Sequence, residues 1–349
     1  MYCFFQTSTI QKRSFLEINL QLYPEEIQAL QNGEKMRNQI IQGNFQIIPH
    51  YLQFFHQTLK PILNKQSHFH PQFIYNPIVS NQYLKSPENS QEAFEIDYVM
   101  LIYTYCNGQL HDSFMQIKNI RQAIIEDKLP NPKDVDIILD KMKIAFTVIK
   151  NTQTYSNQLL PNLSLQRPPN YPEFTSQFFL RYSTYYIVMA NLFYFEKMQE
   201  MKNEKVLIIR QNLCSSMLKL LVEYVDLGND KLGLYLYYLS FYFKCLGYKS
   251  IIERYLYYIQ KDDYKYKPFT VMTQEIIELS KELKQLCEKI LLQQNLNEID
   301  LDVFKIQAAR WITFSDCQIN VYTKIVTNPQ QICTNESILL NSGNFNCLD

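Results

Sequence analysis

An all-α protein is predicted by three features of this 349-residue chain. Apolar residues recur at steps of three and four in successive segments between Tyr171 and Leu292, the repeat of one face of an α-helix. Glycine is scarce, at 7 residues, which works against a sheet rich in tight turns and against glycine-rich phosphate loops. No recognisable catalytic residue set lies in the helical stretch, so the sequence points to a protein that works by contact.

Taken in order, the elements begin with a lead-in of roughly 65 residues that holds a helix from Pro24 to Ile41 and another from Ile48 to Leu63, kinked or interrupted at Pro61. Pro71, Pro77 and Pro87 predict a loop from Asn64 to Glu92. Helix resumes at Ala93 through Phe94, Val99 and Tyr103, and a further helix over Asp134–Leu159 puts Val135, Leu139, Met142, Phe146 and Ile149 on one face. Pro161 to Pro172 is a connector. The next face is Phe174, Phe178, Tyr182, Tyr185, Met189 and Leu192, with Pro172 near its start, where a missing N–H costs least. Asn203 then caps a helix whose face is Val206, Ile209, Leu213, Met217 and Leu220, with Gly228 as its stop. A third pattern starts at Asp230 and runs through Leu232, Leu236, Leu239 and Phe243. Gly247 either ends it or marks a close backbone contact before Ile251, Tyr255 and Ile259. After Pro268, Met272, Ile276, Leu279, Leu283, Leu286 and Ile290 form a seam of period about 3.5. Such faces need partners, and the nearest are one another.

Composition is consistent with a large helical domain. Apolar residues make up 46% of the chain, enough for a core, and much of the aromatic content, 26 Tyr and 22 Phe, is expected inside it. Lys+Arg and Asp+Glu balance at 34 each, which gives no global basic footprint for nucleic acid. The eight cysteines show no CxxC pair and no short metal-ligand spacing, so reduced intracellular thiols are expected. Gln6 to Ser14 interrupts the apolar start of the chain, which argues against a secretory leader. Tyr182–Phe195 and Leu232–Phe243 are both shorter than the ~20 residues of a membrane span and are read as core helices.

Candidates for chemistry are few. His68 and His70 could share a metal in an extended segment, but no carboxylate or thiol stands beside them, and a solvent-facing loop is the simpler reading. Cys106 and His111 lie close in sequence without a legible oxyanion donor, and are read as structural. Glu25/Glu26 and Asp262/Asp263 are read as solvated surface. No phosphate loop, dinucleotide fingerprint or nucleophile elbow occurs. No catalytic, cofactor-binding or metal residue is therefore assigned. A helical-repeat scaffold for some other partner, a subunit of a larger assembly, and an enzyme drawing His56, His68, His70 or His111 from distant segments remain alternatives.

Four stretches, in order, resemble the Bro domain ("BRO one" domain) of ALIX-type adaptors of the ESCRT pathway. Phe94-Glu95-Ile96-Asp97-Tyr98-Val99-Met100-Leu101 is similar to the family's Phe-Glu followed by a Val-Leu helix. Met189-Ala190-Asn191 stands where the family usually carries Ala-Gln-Ala-Gln-Glu, here only partly kept. Tyr264-Lys265-Tyr266-Lys267-Pro268 precedes the long seam where the family has Tyr-Gly; the glycine is absent. Asn320-Val321-Tyr322 and Ile325-Val326-Thr327 resemble its Ile-Tyr and Val-Pro signature, with Thr327 in place of the proline.

The resemblance implies a curved array of helical hairpins with a tetratricopeptide-like core, filling residues 1–349 as one domain. Its parts would be a lead-in and loop over 1–92, a helical core over 93–292 and a closing segment over 293–349. It also implies a small β-element near the N-terminus, for which Phe15, Ile18 and Leu20 could supply a strand. The implied activity is non-enzymatic, without cofactor or metal: binding the C-terminal amphipathic helix of an ESCRT-III subunit in a surface groove. The implied location is the cytoplasm, with recruitment beside endosomal membranes. By the family's pattern the groove would involve Phe195 and Met198 on one helix and Ile209 and Leu213 on the next.

Overall fold

Pro24 opens helix α1 (Pro24–Ile41), and the Glu26 carboxylate reaches back to accept the Tyr23 N–H at 3.1 Å, satisfying a donor that the helix end leaves free. The computed structural model describes residues 11–12, 22–64, 73–75, 84–85, 90–159, 173, 175–201, 203–222, 231–292 and 302–327. Helices α2 (Ile48–Phe54) and α3 (Lys60–Asn64) are joined by a π-helical turn over Phe55–Leu59. Pro61 explains that turn. It donates no N–H and crowds the carbonyl four residues back, so the helix widens just before it.

The remaining helices are α4 (Ser90–Asp112), α5 (Phe114–Ile125), α6 (Pro132–Leu159), α7 (Ser176–Lys197), α8 (Glu204–Val222), α9 (Lys231–Gln260), α10 (Phe269–Leu291) and α11 (Asp302–Thr327). They pack largely as neighbours in sequence: α6 with α7, α8 with α9, α9 with α10 and α10 with α11, while α4 packs on α6 and α11 reaches α5. The fold is predominantly α-helical, with a short antiparallel sheet of β1 (Gln11–Lys12), β2 (Phe73–Tyr75) and β3 (Leu84–Lys85) in that order. Gln11 pairs with Ile74, and Ile74 with Lys85. Phe15, Ile18 and Leu20 lie outside the described residues, and β2 and β3 fall within the segment expected to be loop.

Tyrosines account for much of the interior. Tyr103 on α4 packs edge-on to Phe178 and Tyr182 of α7, at 5.6 and 4.7 Å between ring centroids. The Tyr182 and Tyr186 hydroxyls both donate to Asn107 Oδ1, at 2.6 and 3.3 Å, so each buried phenol finds an acceptor. At the lead-in, the Arg37 guanidinium forms a two-pronged ion pair with the Asp97 carboxylate, one arm 2.6 Å long, and also donates to the Tyr51 hydroxyl at 3.1 Å. All three residues are buried, which ties α1 and α2 to α4.

Several sequence readings hold at residue level. Val206 N–H donates to Asn203 Oδ1 at 3.0 Å, as expected of an N-cap. In α10, Met272, Ile276, Leu283 and Ile290 of the predicted seam are buried, and Leu279 and Leu286 are half-buried against the core. Gly247 does not end its helix: α9 runs through it, and a Cβ there would lie 3.6 Å from Cys214 Cβ, an ordinary contact with α8. The predicted face of α8 needs correction. Its buried residues are Leu207, Arg210, Cys214, Met217 and Leu221, a stripe one residue further round than Val206, Ile209, Leu213 and Leu220. Gly228 and Asp230 lie outside the described residues, as do Pro161, Pro172 and Phe174.

Candidate functional site

The stretch Phe193-Tyr194-Phe195-Glu196-Lys197-Met198 ends α7 and sets which side chains reach the surface. Successive helical residues point about 100° apart, so a run of aromatics cannot all face the core. Phe193 and Phe195 are fully buried, whereas Tyr194 is 44% exposed. Met198 opens a short 3₁₀ turn (Met198–Glu200) and is 4% exposed.

Across the turn, Asn203 starts α8. With Leu207, Arg210 and Cys214 turned inward, Val206, Ile209, Leu213 and Leu220 form a second apolar stripe on a different face. Ile209 is 45% exposed, and Val206, Leu213 and Leu220 are half-buried. An apolar stripe left in partial contact with water on a helix already anchored by another face is a surface with capacity to bind. Of the four residues expected to make the groove, Ile209 is exposed and Leu213 half-buried, while Phe195 and Met198 are buried. Tyr194 is the one aromatic of the Phe193–Phe195 run that is exposed. The signal was present in the run of three aromatics, but the helix rotation that selects one of them was not.

Two contacts fix this corner. The Arg210 guanidinium sits 4.7 Å from the Phe195 ring centroid, a cation–π contact between α8 and α7. Lys197 Nζ donates to Asp136 Oδ1 at 2.5 Å, tying the end of α7 to the first turn of α6. On α6, Ile137 and Ile144, two turns apart, are also exposed.

Below the corner lies a charged cluster. Glu253 on α9 is ion-paired with Arg210 at 2.9 Å and with Lys249 at 2.8 Å; burial raises its carboxyl, but these cations hold it below the usual carboxylate range. Glu196 is more deeply buried and accepts a hydrogen bond from the Gln199 amide. Burial pushes its carboxyl up to about 7, against the opposing pull of Lys249 and Arg210.

The residues weighed for chemistry are dispersed. Cys106 is fully buried, its thiol pushed far up by burial and donated to the Ala145 carbonyl, while His111 is exposed. A thiol held protonated in this way is a poor nucleophile. His56 packs edge-on against Tyr98 at 4.9 Å, and His68 and His70 lie outside the described residues. Among the described residues no group of three or more His, Cys, Asp or Glu is placed to hold a metal, and no helix is long and apolar enough to cross a membrane.

No protein-family model matches the sequence, and no curated protein matches it either. Among solved structures, the chain is similar to the Bro1 domain of ALIX in a complex with CHMP4C. The TM-score is 0.57 at 10% sequence identity, and the match covers 90% of this chain and 87% of that one. At that identity the common feature is the path of the backbone, carried over nearly the whole of both chains. The chain has the fold of the ALIX Bro1 domain.

Proposed function

We propose that this protein is a non-enzymatic adaptor that holds the C-terminal amphipathic helix of an ESCRT-III subunit against the surface of Tyr194, Ile209 and Leu213. The observation that carries the reading is the second apolar stripe of α8, which the fold leaves half-exposed. An amphipathic helix binds such a surface through anchors at i, i+3, i+4 and i+7, each worth roughly 1.5–3 kcal/mol when fully buried. In this reading the buried Phe195 and Met198 support the end of α7, and the Lys197–Asp136 pair contributes to the polar rim. The solved ALIX domain of the same fold was captured with CHMP4C, which supports a partner of this class. In this reading the protein acts in the cytoplasm and is brought to endosomal membranes by its partner.

Calorimetric titration with the C-terminal helices of ESCRT-III subunits tests the proposal. Saturable binding of at least one of them, absent for an unrelated amphipathic helix of equal charge, is the expected result. Equal binding of the unrelated helix would make the surface a general peptide site, and no binding at all would overturn the reading.

A further inference from the structure

A cavity of about 270 Å³ opens on the other side of Glu196, between the α5–α6 turn, the end of α7, α9 and α11. Its walls include Glu196, Lys249, Arg310, Trp311, Phe314 and Gln318. Two buried acceptors meet this space. Gln318 is 3% exposed, and its Oε1 has no hydrogen-bond partner among the described residues. Glu196, also 3% exposed, has no ion pair among them. A native interior leaves very few polar atoms unsatisfied, so acceptors facing a cavity mark where a donor belongs.

The charges around the cavity narrow the donor. Each cation on its wall already has its own acid: Arg310 faces Asp127 at 3.3 Å, Lys249 pairs with Glu253 at 2.8 Å and Lys128 with Glu126 at 2.7 Å. Arg310 is further fixed by donating to the Ile124 carbonyl and to the Ile125 carbonyl at 2.8 Å. Arg210, the remaining cation near Glu196, is ion-paired with Glu253 and lies against the Phe195 ring. Glu196 is thus the wall acid left to meet a charge from outside. Trp311 and Phe314 supply an aromatic, largely buried side against which a cation or an apolar chain can lie.

We infer that this cavity is a binding site for a small primary ammonium ligand with an apolar body, its N–H donors directed to Glu196 and Gln318 and its body against Trp311 and Phe314. The site is distinct from the proposed peptide surface: Tyr194, Ile209 and Leu213 are not among its lining residues.

Trp311 is the chain's single tryptophan and lines this cavity, so its fluorescence is a readout for a ligand bound there. The full chain is titrated with phenethylammonium above pH 7, where the Glu196 carboxyl is ionised. Phenylacetate and phenethyl alcohol serve as anionic and neutral probes of the same shape. A saturable change with the ammonium alone is expected, weakened about tenfold or more in Glu196→Gln and in Gln318→Leu, each with its helical circular dichroism retained. Should one variant fail to fold, the other decides. A change of equal size with the acid or the alcohol, an ammonium response that neither variant alters, or no saturable response would each overturn the assignment.

Discussion

The Arg210 guanidinium lies 4.7 Å from the Phe195 ring centroid and is ion-paired with Glu253 at 2.9 Å, so one side chain joins α7, α8 and α9. The surface stripe of α8 owes its position to this arrangement. A cation held at a core position turns the helix so that Leu207 and Cys214 face inward and Ile209 faces out.

Adjacent aromatics should then behave oppositely. Phe195→Ala removes a fully buried ring and is expected to cost about 3–5 kcal/mol in denaturant unfolding. Tyr194→Ala, on the exposed side, is expected to change stability by less than about 0.5 kcal/mol while weakening peptide binding. Equal destabilisation by the two would contradict the helix rotation described above.

How much of this was legible in the sequence varies with how well each core face is advertised. The seam of α10 and the Asn203 cap could be read because apolar spacing and capping chemistry agree there. Helix α11 could not be read as easily. Its buried stripe runs Phe304, Ala308, Trp311, Ser315, Gln318 and Tyr322, with steps of three and four, but two polar residues interrupt it. Arg210 hid the buried face of α8 in the same way, and a reader counting apolar residues takes the half-exposed stripe for the core. The short strands depend on pairing across more than sixty residues, from Gln11 to Ile74, which local pattern does not encode.

The Arg37–Asp97 pair should be required for the lead-in to dock. Both partners are buried, so Arg37→Ala takes the guanidinium from a buried carboxylate and is expected to cost about 3–5 kcal/mol. Hydrogen exchange should show the loss concentrated in α1 and α2. A change near zero would mean that the pair contributes nothing to holding α1 on α4.

Glu196 gives stability a pH dependence of defined sign. Its carboxyl ordinarily titrates near 4.5 and is raised to about 7 in the fold, so between those values the folded chain holds a proton that the unfolded chain has lost. This contribution is complete below pH 4.5 and is lost as pH rises through 7. Glu196→Gln removes it. The variant should be more stable than the parent above pH 7 by on the order of 3 kcal/mol, the difference fading toward pH 4.5. Urea titrations of both proteins across that range check the sign, and a variant less stable at high pH would contradict it.

Two helical glycines should respond in opposite directions to alanine. At Gly33 a Cβ would meet Leu59 Cδ1 at 2.6 Å, and Leu59 is itself fully buried, so Gly33→Ala should lose about 1–3 kcal/mol. At Gly247 the nearest atom is 3.6 Å away, and Gly247→Ala should gain about 0.5–1 kcal/mol from helix propensity. Thermal melts of the two variants give the answer directly.

The central claim, that the exposed stripe of α8 docks an ESCRT-III helix, is tested most directly by Ile209→Asp. Ile209 is 45% exposed, so the substitution should leave folding intact while placing a charge in the middle of the contact. The parent should bind the helix saturably in a calorimetric titration, and the variant, with an unchanged unfolding curve, should bind at least about tenfold more weakly. Undiminished binding by the folded variant would contradict that claim and place the partner elsewhere on the molecule.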